Sequence, residues 1–299
     1  MSQPSSLDAP IDLQTALALS RDRFAAWAPR TVVWAPGGTR RHAIAAGVPL
    51  DNAYIDWAWV QHMRCIELFF ALGVQTLFAP ILGPPQVREV GDYRERMFAT
   101  LWRIADPPSM EIYRRLGIRV RAYGHQRIPG LSDVVARLVS ETADLGPHTL
   151  WHTMVVEGED EPFADALQAA RQAGATTLDE SVRAFYGQPV PPVDVFIGFG
   201  KLQTGYLMPP LLDHKASLYW TAFPSYMLTE THLRTIFWDY RFARATWVAD
   251  KSRRYDSVDP HALQQTAERP GGIIGVGRRD GAFWTPISEQ VRARTAEDV

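Results

Sequence analysis

Short, nearly unbroken apolar runs alternate along this chain with longer stretches whose apolar residues recur every three to four positions. The runs predict strands buried on both faces, and the recurrent spacing predicts amphipathic helices. Strand candidates are residues 31–36 (TVVWAP), 74–82 (VQTLFAPIL), 118–123, 149–156, 193–199 (VDVFIGF) and 217–223 (SLYWTAF). Helices are predicted over 51–72, 93–105, 109–116, 132–145, 162–173, 178–186 and 229–244. Gly73 stops the first of these, and Asp106-Pro107-Pro108 breaks the second from the third. Asp179 and Glu180 sit in a first helical turn, where the helix dipole favours carboxylates. After Asp250 the pattern loosens into a short helix at 261–268 and a glycine-rich stretch, GGIIGVGRRDGAFW, that reads as a closing hairpin.

Strands alternating with helices predict an α/β fold: a single domain with a central, mostly parallel six-stranded sheet flanked by helices. No internal repeat or long Pro/Gly/Ser linker divides the chain. The expected organisation is an N-terminal extension over residues 1–25 and one domain over 26–299. With 299 residues, 46% of them hydrophobic, one large core can be buried.

A formal charge of −2 excludes a whole-protein electrostatic case for nucleic acid. Only Lys201, Lys215 and Lys251 are lysines, so arginine supplies nearly all the positive charge. Arginine suits bidentate phosphate contacts, but codon usage explains the total equally well, and only position is informative. The lone Cys65 forbids an internal disulfide and fits a reducing cytoplasm; its apolar helical setting makes it a core residue. Residues 1–10 lack a basic segment followed by an apolar one, and no apolar run approaches a membrane span of about 18 residues. The expectation is a cytoplasmic protein that meets any hydrophobic substrate in the cytosol or at a membrane surface.

Ligands of open parallel sheets bind beyond the carboxyl ends of the strands. Gly37-Gly38-Thr39-Arg40-Arg41 follows the first strand and offers close backbone approach, a hydroxyl and two guanidinium groups, a combination suited to phosphate oxygens. It has neither Walker nor dinucleotide-fingerprint spacing. A second glycine-rich loop, residues 198–206 with Lys201, follows the fifth strand. Two such loops at one sheet edge suggest a diphosphate site. Tyr54, Trp57 and Trp59 on one helix, among ten Trp, ten Tyr and thirteen Phe in all, could line an apolar pocket and stabilise a carbocation; core packing explains them as well. No HExxH spacing or GxSxG elbow occurs, His148 and His152 read as internally satisfied, and the acidic run at 157–161 reads as a solvated turn.

From Val193 to Arg234 the sequence VDVFIGFGKLQTGYLMPPLLDHKASLYWTAFPSYMLTETHLR resembles the corresponding block of the tuberculosinyl transferases, diterpene synthases on the cis-prenyltransferase fold. GGTRR stands where that family has DGTRR, the strand–helix order is similar from about residue 30 to 244, and the GVGRRDGAFW tail looks related. The resemblance implies a prenyl diphosphate substrate, a cis-prenyltransferase-like domain and a homodimer. It implies that Arg40 and Arg41 bind the diphosphate, with Gly38 and Thr39 adding donors, and that Tyr54 serves catalysis. Tyr93 matches another active-site tyrosine, and Gly37 and Trp57 are expected beside the substrate. The implied chemistry is ionisation of an allylic, bicyclic C20 diphosphate, with the cation quenched by water, deprotonation or a nucleophilic acceptor.

Gly37 departs from the family, which has an essential aspartate there. In chain-elongating cis-prenyltransferases that aspartate helps to hold Mg²⁺, and glycine cannot. Altered chemistry, a replacement carboxylate such as Asp51 or Asp56, and lost activity are the competing consequences. Chain elongation and a non-catalytic partner subunit are the alternative functions; APILGPP, in place of the aromatic, Asn-containing segment usual in chain-elongating cis-prenyltransferases, speaks against the first, and retention of both arginines against the second.

Overall fold

In this computed structural model, residues 11–200, 203–221, 223–243, 277–280 and 283–286 are described. The strands are β1 (Thr31–Trp34), β2 (Thr76–Leu82), β3 (Ile118–Tyr123), β4 (His148–Met154), β5 (Val195–Phe199) and β6 (Ser217–Thr221), with β7 (Gly277–Asp280) and β8 (Phe283–Pro286) forming a separate antiparallel pair. Helices are α1 (Leu13–Ala18), α2 (Arg21–Ala25), α3 (Thr39–Ala45), α4 (Asn52–Ala71), α5 (Pro84–Val87), α6 (Gly91–Thr100), α7 (Pro107–Leu116), α8 (Leu131–Glu141), α9 (Glu161–Gln172), α10 (Leu178–Tyr186) and α11 (Glu230–Trp238).

The main sheet has the order β3-β4-β2-β1-β5-β6, and every pairing in it is parallel. Both faces of β1 are covered, which is why TVVW is apolar throughout. Val32 and Trp34 pack with Ile66 and Phe69 of α4, whereas Val33 joins Phe78, Trp151 and Phe196 against Val182 and Tyr186 of α10. The strand order reverses at β1: the chain proceeds to β2 on one side and returns through β5 on the other. An opening is expected at the carboxyl ends around such a switch point.

Pro80 lies within β2, where it cannot donate a ladder hydrogen bond. It is tolerated because the β1–β2 pairing ends at Val33 and Phe78, and the β2–β4 register shifts between Pro80 and Leu82. The end of β2 is thus released from β1 to face the opening.

Residues 11–25 are tied to α11. Ala16 and Phe24 are fully buried, and Arg234 stacks 4.7 Å above the Phe24 ring while donating to the Leu19 carbonyl at 2.9 Å. Arg21 pairs with Glu230 at 2.7 Å, and the Trp238 indole N–H donates to the Ile11 carbonyl.

Several predicted boundaries move. The helix expected over 93–105 starts at Gly91 and tightens to a 3₁₀ turn at Leu101–Ala105, which ends at Asp106, held extended as the residue before Pro107. The helix expected over 229–244 becomes a π turn at Asp239–Ala243. The helix expected over 261–268 falls outside the described residues, while β7 and β8 supply the expected hairpin. The acidic run is no plain solvated turn: Glu161 is buried, and its carboxylate accepts the Val156 and Glu157 N–H groups. Among the described residues no helix is long and apolar enough to cross a membrane.

Candidate functional site

The Gly37–Arg41 segment is not simply a loop. Gly38 adopts a left-handed conformation (φ 68°) and caps α3, so that Thr39, Arg40 and Arg41 form its first turn. A side chain at 38 would meet the Arg41 guanidinium, which folds over this glycine with Nη2 2.8 Å from the place of a Cβ. Gly37 sits where β1 and β5 leave the sheet together; a Cβ there would lie 3.1 Å from the Phe199 carbonyl oxygen. The Gly37 carbonyl accepts the Ser225 N–H at 2.9 Å, so the phosphate-loop candidate is pinned to the turn after β6.

These residues open onto a cavity of about 350 Å³, within the range usual for small-molecule sites. Gly37, Gly38, Thr39, Arg40 and Arg41 line one end. Tyr54, Ala58 and His62, at successive turns of α4, line its length, with Pro80, Ile81 and Leu82 from the released end of β2. Tyr93 and Met97 of α6 contribute a wall, although α6 has no buried residue. Tyr206 and Tyr226 complete the enclosure, and Gly83 is small because the Tyr206 ring lies where its Cβ would be.

The structure therefore brings Gly37, Gly38, Thr39, Arg40, Arg41, Tyr54 and Tyr93 together at one cavity. Trp57 is not part of the lining. It stands edge-on to Tyr226 at 5.9 Å and to His42 at 5.1 Å, behind the wall, and Trp59 takes the place expected of it. Lys201 and Leu202 lie outside the described residues, but Tyr206 and Leu207 from the same loop reach the cavity.

Polar contacts at the mouth are short. Thr39 Oγ1 and Tyr54 Oη share a 2.7 Å hydrogen bond. Arg40 spans the mouth, 3.4 Å from Glu89 and 5.1 Å from the Tyr93 ring centroid. Burial, reinforced by neighbouring Tyr54, pushes the Tyr93 hydroxyl up to about 12, so it remains a neutral donor. Tyr226, whose hydroxyl burial raises well above the ordinary range, is held through its backbone. Arg64 donates to the Tyr226 carbonyl at 2.5 Å and to the Leu228 carbonyl at 3.2 Å.

The far end is a packed aromatic floor. The His62 ring lies 5.0 Å from Trp34, 5.3 Å from Trp59, 6.0 Å from His152 and 6.5 Å from Tyr226. Burial, then His152, holds His62 well below its ordinary value, and burial takes His152 down to about 4. Both imidazoles are neutral at pH 7, so the floor offers π faces without repelling positive charge. His148, by contrast, is satisfied as expected, bonded to the Val74 carbonyl at 2.9 Å.

The donors that the described residues bring to the cavity do not fit a protein-held Mg²⁺. Asp51 caps α4 through the Ala53 N–H, Asp56 is paired with Arg103, and neither lines the cavity. Glu89 does line it but is engaged by Arg40, and among the described residues no group of three His, Cys, Asp or Glu side chains could hold a metal.

Sequence reasoning missed Glu89, His62, Arg64 and Tyr226. The signal for His62 was present, since 54, 58 and 62 share one helical face; Tyr226 and Glu89 become neighbours of the loop only through the sheet order.

No family model matches the chain. It is 37% identical over 270 residues to (+)-kolavelool synthase of Herpetosiphon aurantiacus, covering 89% of this chain and 92% of that protein. It is 26% identical over 271 residues to tuberculosinyl adenosine transferase of Mycobacterium tuberculosis, covering 86% of this chain and 90% of that one. Among solved structures, lavandulyl diphosphate synthase from Lavandula x intermedia superposes with a TM-score of 0.59 at 15% identity, over 72% of this chain and 96% of that one. A probable undecaprenyl diphosphate synthase from Campylobacter jejuni gives 0.52 at 15% identity, over 71% and 95%. These two share the fold. With relatives of that identity and coverage, and the expected parallel sheet in place, the chain belongs to the family of diterpene synthases and tuberculosinyl transferases on the cis-prenyltransferase fold, enzymes that act on prenyl diphosphates.

Proposed function

We propose that the enzyme ionises an allylic, bicyclic C20 diphosphate and captures the cation with water. The observation that carries this reading is a single cavity with two arginines and a glycine-capped turn at one end and aromatic and aliphatic walls beyond them. Arg40, Arg41 and the Thr39 hydroxyl receive the diphosphate. As the allylic C–O bond breaks, its electron pair leaves with the diphosphate, and the preorganised donors stabilise the growing negative charge. The cation left behind is sheltered by Tyr54, Tyr93 and Tyr226. Tyr54, oriented by Thr39, positions a water whose oxygen bonds to the cation, and the released proton passes to a diphosphate oxygen.

The arginines meet the charge that a metal would otherwise meet, so the reaction is expected to proceed without a Mg²⁺ held by the protein. Following the family resemblance, we place the enzyme in the cytoplasm as a homodimer, which sedimentation would test. The activity is tested by incubating the protein with geranylgeranyl diphosphate and bicyclic diterpenyl diphosphates, with Mg²⁺ or EDTA, and analysing products by gas chromatography–mass spectrometry. A terpene alcohol formed only from a bicyclic substrate, and absent with Arg40→Ala/Arg41→Ala, is expected. Intact substrate under every condition, adenosine included as acceptor, would support the non-catalytic alternative; longer prenyl diphosphates on adding isopentenyl diphosphate would support elongation.

A further inference from the structure

The floor of the cavity carries a feature that a purely hydrocarbon cargo does not require. His62 lines the cavity and is almost completely buried, yet its Nε2 has no hydrogen-bond partner. The rings of Trp34, Trp59, His152 and Tyr226 surround it and supply faces but no bond to that nitrogen. A buried polar atom left unpaired is destabilising, and a leucine or phenylalanine would serve a hydrocarbon better. Trp34 Nε1 and His152 Nδ1 in the same floor also lack a partner, but neither residue lines the cavity, whereas His62 does.

Position specifies the use. His62 follows Tyr54 by two turns of α4, about 12 Å along the helix axis. Tyr54 stands beside the diphosphate end through Thr39, so His62 faces the opposite, ring-bearing end of a bound substrate. A neutral imidazole nitrogen there can accept a hydrogen bond from a hydroxyl, or donate one to its oxygen in the other tautomer.

Building on the diphosphate-ionising reading, we propose that the substrate carries a hydroxyl on its ring system and that His62 Nε2 is the group that recognises it. The cavity then has two polar poles, guanidinium groups for the diphosphate and one imidazole for the alcohol, separated by apolar walls. Such a site rejects the analogue lacking the hydroxyl, because its buried nitrogen is then left without a partner. Protonation-initiated cyclisation of a linear C20 diphosphate, with water capturing the ring cation, would supply such a substrate with the net addition of one water.

The test compares a ring-hydroxylated bicyclic diterpenyl diphosphate with its deoxy counterpart. Diphosphate release and calorimetric binding are both measured, for wild type, His62→Phe and His62→Gln. Wild type should favour the hydroxylated substrate by about 10–100-fold in kcat/KM and in affinity. His62→Phe should bring the ratio close to one, and His62→Gln, which keeps hydrogen-bonding capacity, should restore part of it. Equal handling of both compounds by wild type, as when a fixed water satisfies the nitrogen, would overturn the proposal while leaving the ionising activity standing. Preferential binding of the hydroxylated compound without release of diphosphate would uphold the recognition and refute the catalytic reading.

Discussion

Removing one oxygen atom, in Tyr54→Phe, separates two roles that Tyr54 could fill. Its hydroxyl is 2.7 Å from Thr39 Oγ1 in a partly buried setting. A neutral hydrogen bond of this kind contributes about 1 kcal/mol net, equivalent to about fivefold in rate if its loss only loosens the loop. If Tyr54 also positions the attacking water, its loss removes a preorganised group at the reacting centre, which costs about 10²–10³. Thr39→Val breaks the same hydrogen bond from the other side and leaves the phenol in place. Diphosphate release is measured in single turnovers for wild type, both single variants and the double variant, with thermal unfolding as a folding control. The expected result is about a fivefold loss for Thr39→Val, at least 10² for Tyr54→Phe, and no comparable further loss in the double variant, because both changes act through one contact. Equal losses of about fivefold in both single variants would refute a direct role and reduce Tyr54 to support for the loop.

Arg40→Ala and Arg41→Ala should each lower kcat/KM by about 10²–10³, and lysine should recover only part because it lacks the planar fork; competition by inorganic diphosphate would report the lost affinity. Arg64→Met leaves the Tyr226 and Leu228 carbonyls without their cationic donor, so both the melting temperature and activity should fall, as read by circular dichroism and product analysis. His152 has a folded-state value of about 4 against an ordinary 6.5, so the unfolded chain takes up the proton first as pH falls. Its contribution is fully present above pH 6.5 and is lost between there and about 4, at about 1.4 kcal/mol per pH unit; wild type should lose stability across that window more steeply than His152→Phe, as measured by denaturant titration.

The sheet was legible because a strand covered on both faces must be apolar throughout, as in residues 31–34 and 195–199. The span of α4 was legible from its apolar spacing and Gly73, with Asp51 proving to be the cap and not the first helical residue. The start of α3 was not, since two glycines followed by Thr-Arg-Arg read equally as a turn, and only the left-handed torsion of Gly38 launches the helix. The mouth of the site was accessible because one continuous motif encodes it. The rest is assembled from distant segments: Glu89 lies before α6 and Tyr226 after β6, and no spacing along the chain reveals that β5 folds back beside β1 with β6 outside it. Selecting Trp57 over Trp59 followed from counting aromatics without assigning each to a face of α4.

The wall supplied by α6 bears on the timing of turnover. Tyr93 and Met97 help to enclose the substrate, but no residue of the helix is fully buried, and it begins at a left-handed glycine (φ 67°) with open space around it. Segments with so little burial sit at the low end of local opening free energies. Amide exchange should therefore be fastest along α6 in the free enzyme and slow down when a diphosphate links Arg40 to the cavity, whereas α4 should exchange slowly in both states. On this account the residence time of a greasy product is governed by how often a marginally anchored helix lifts, which makes release a clock separable from bond breaking.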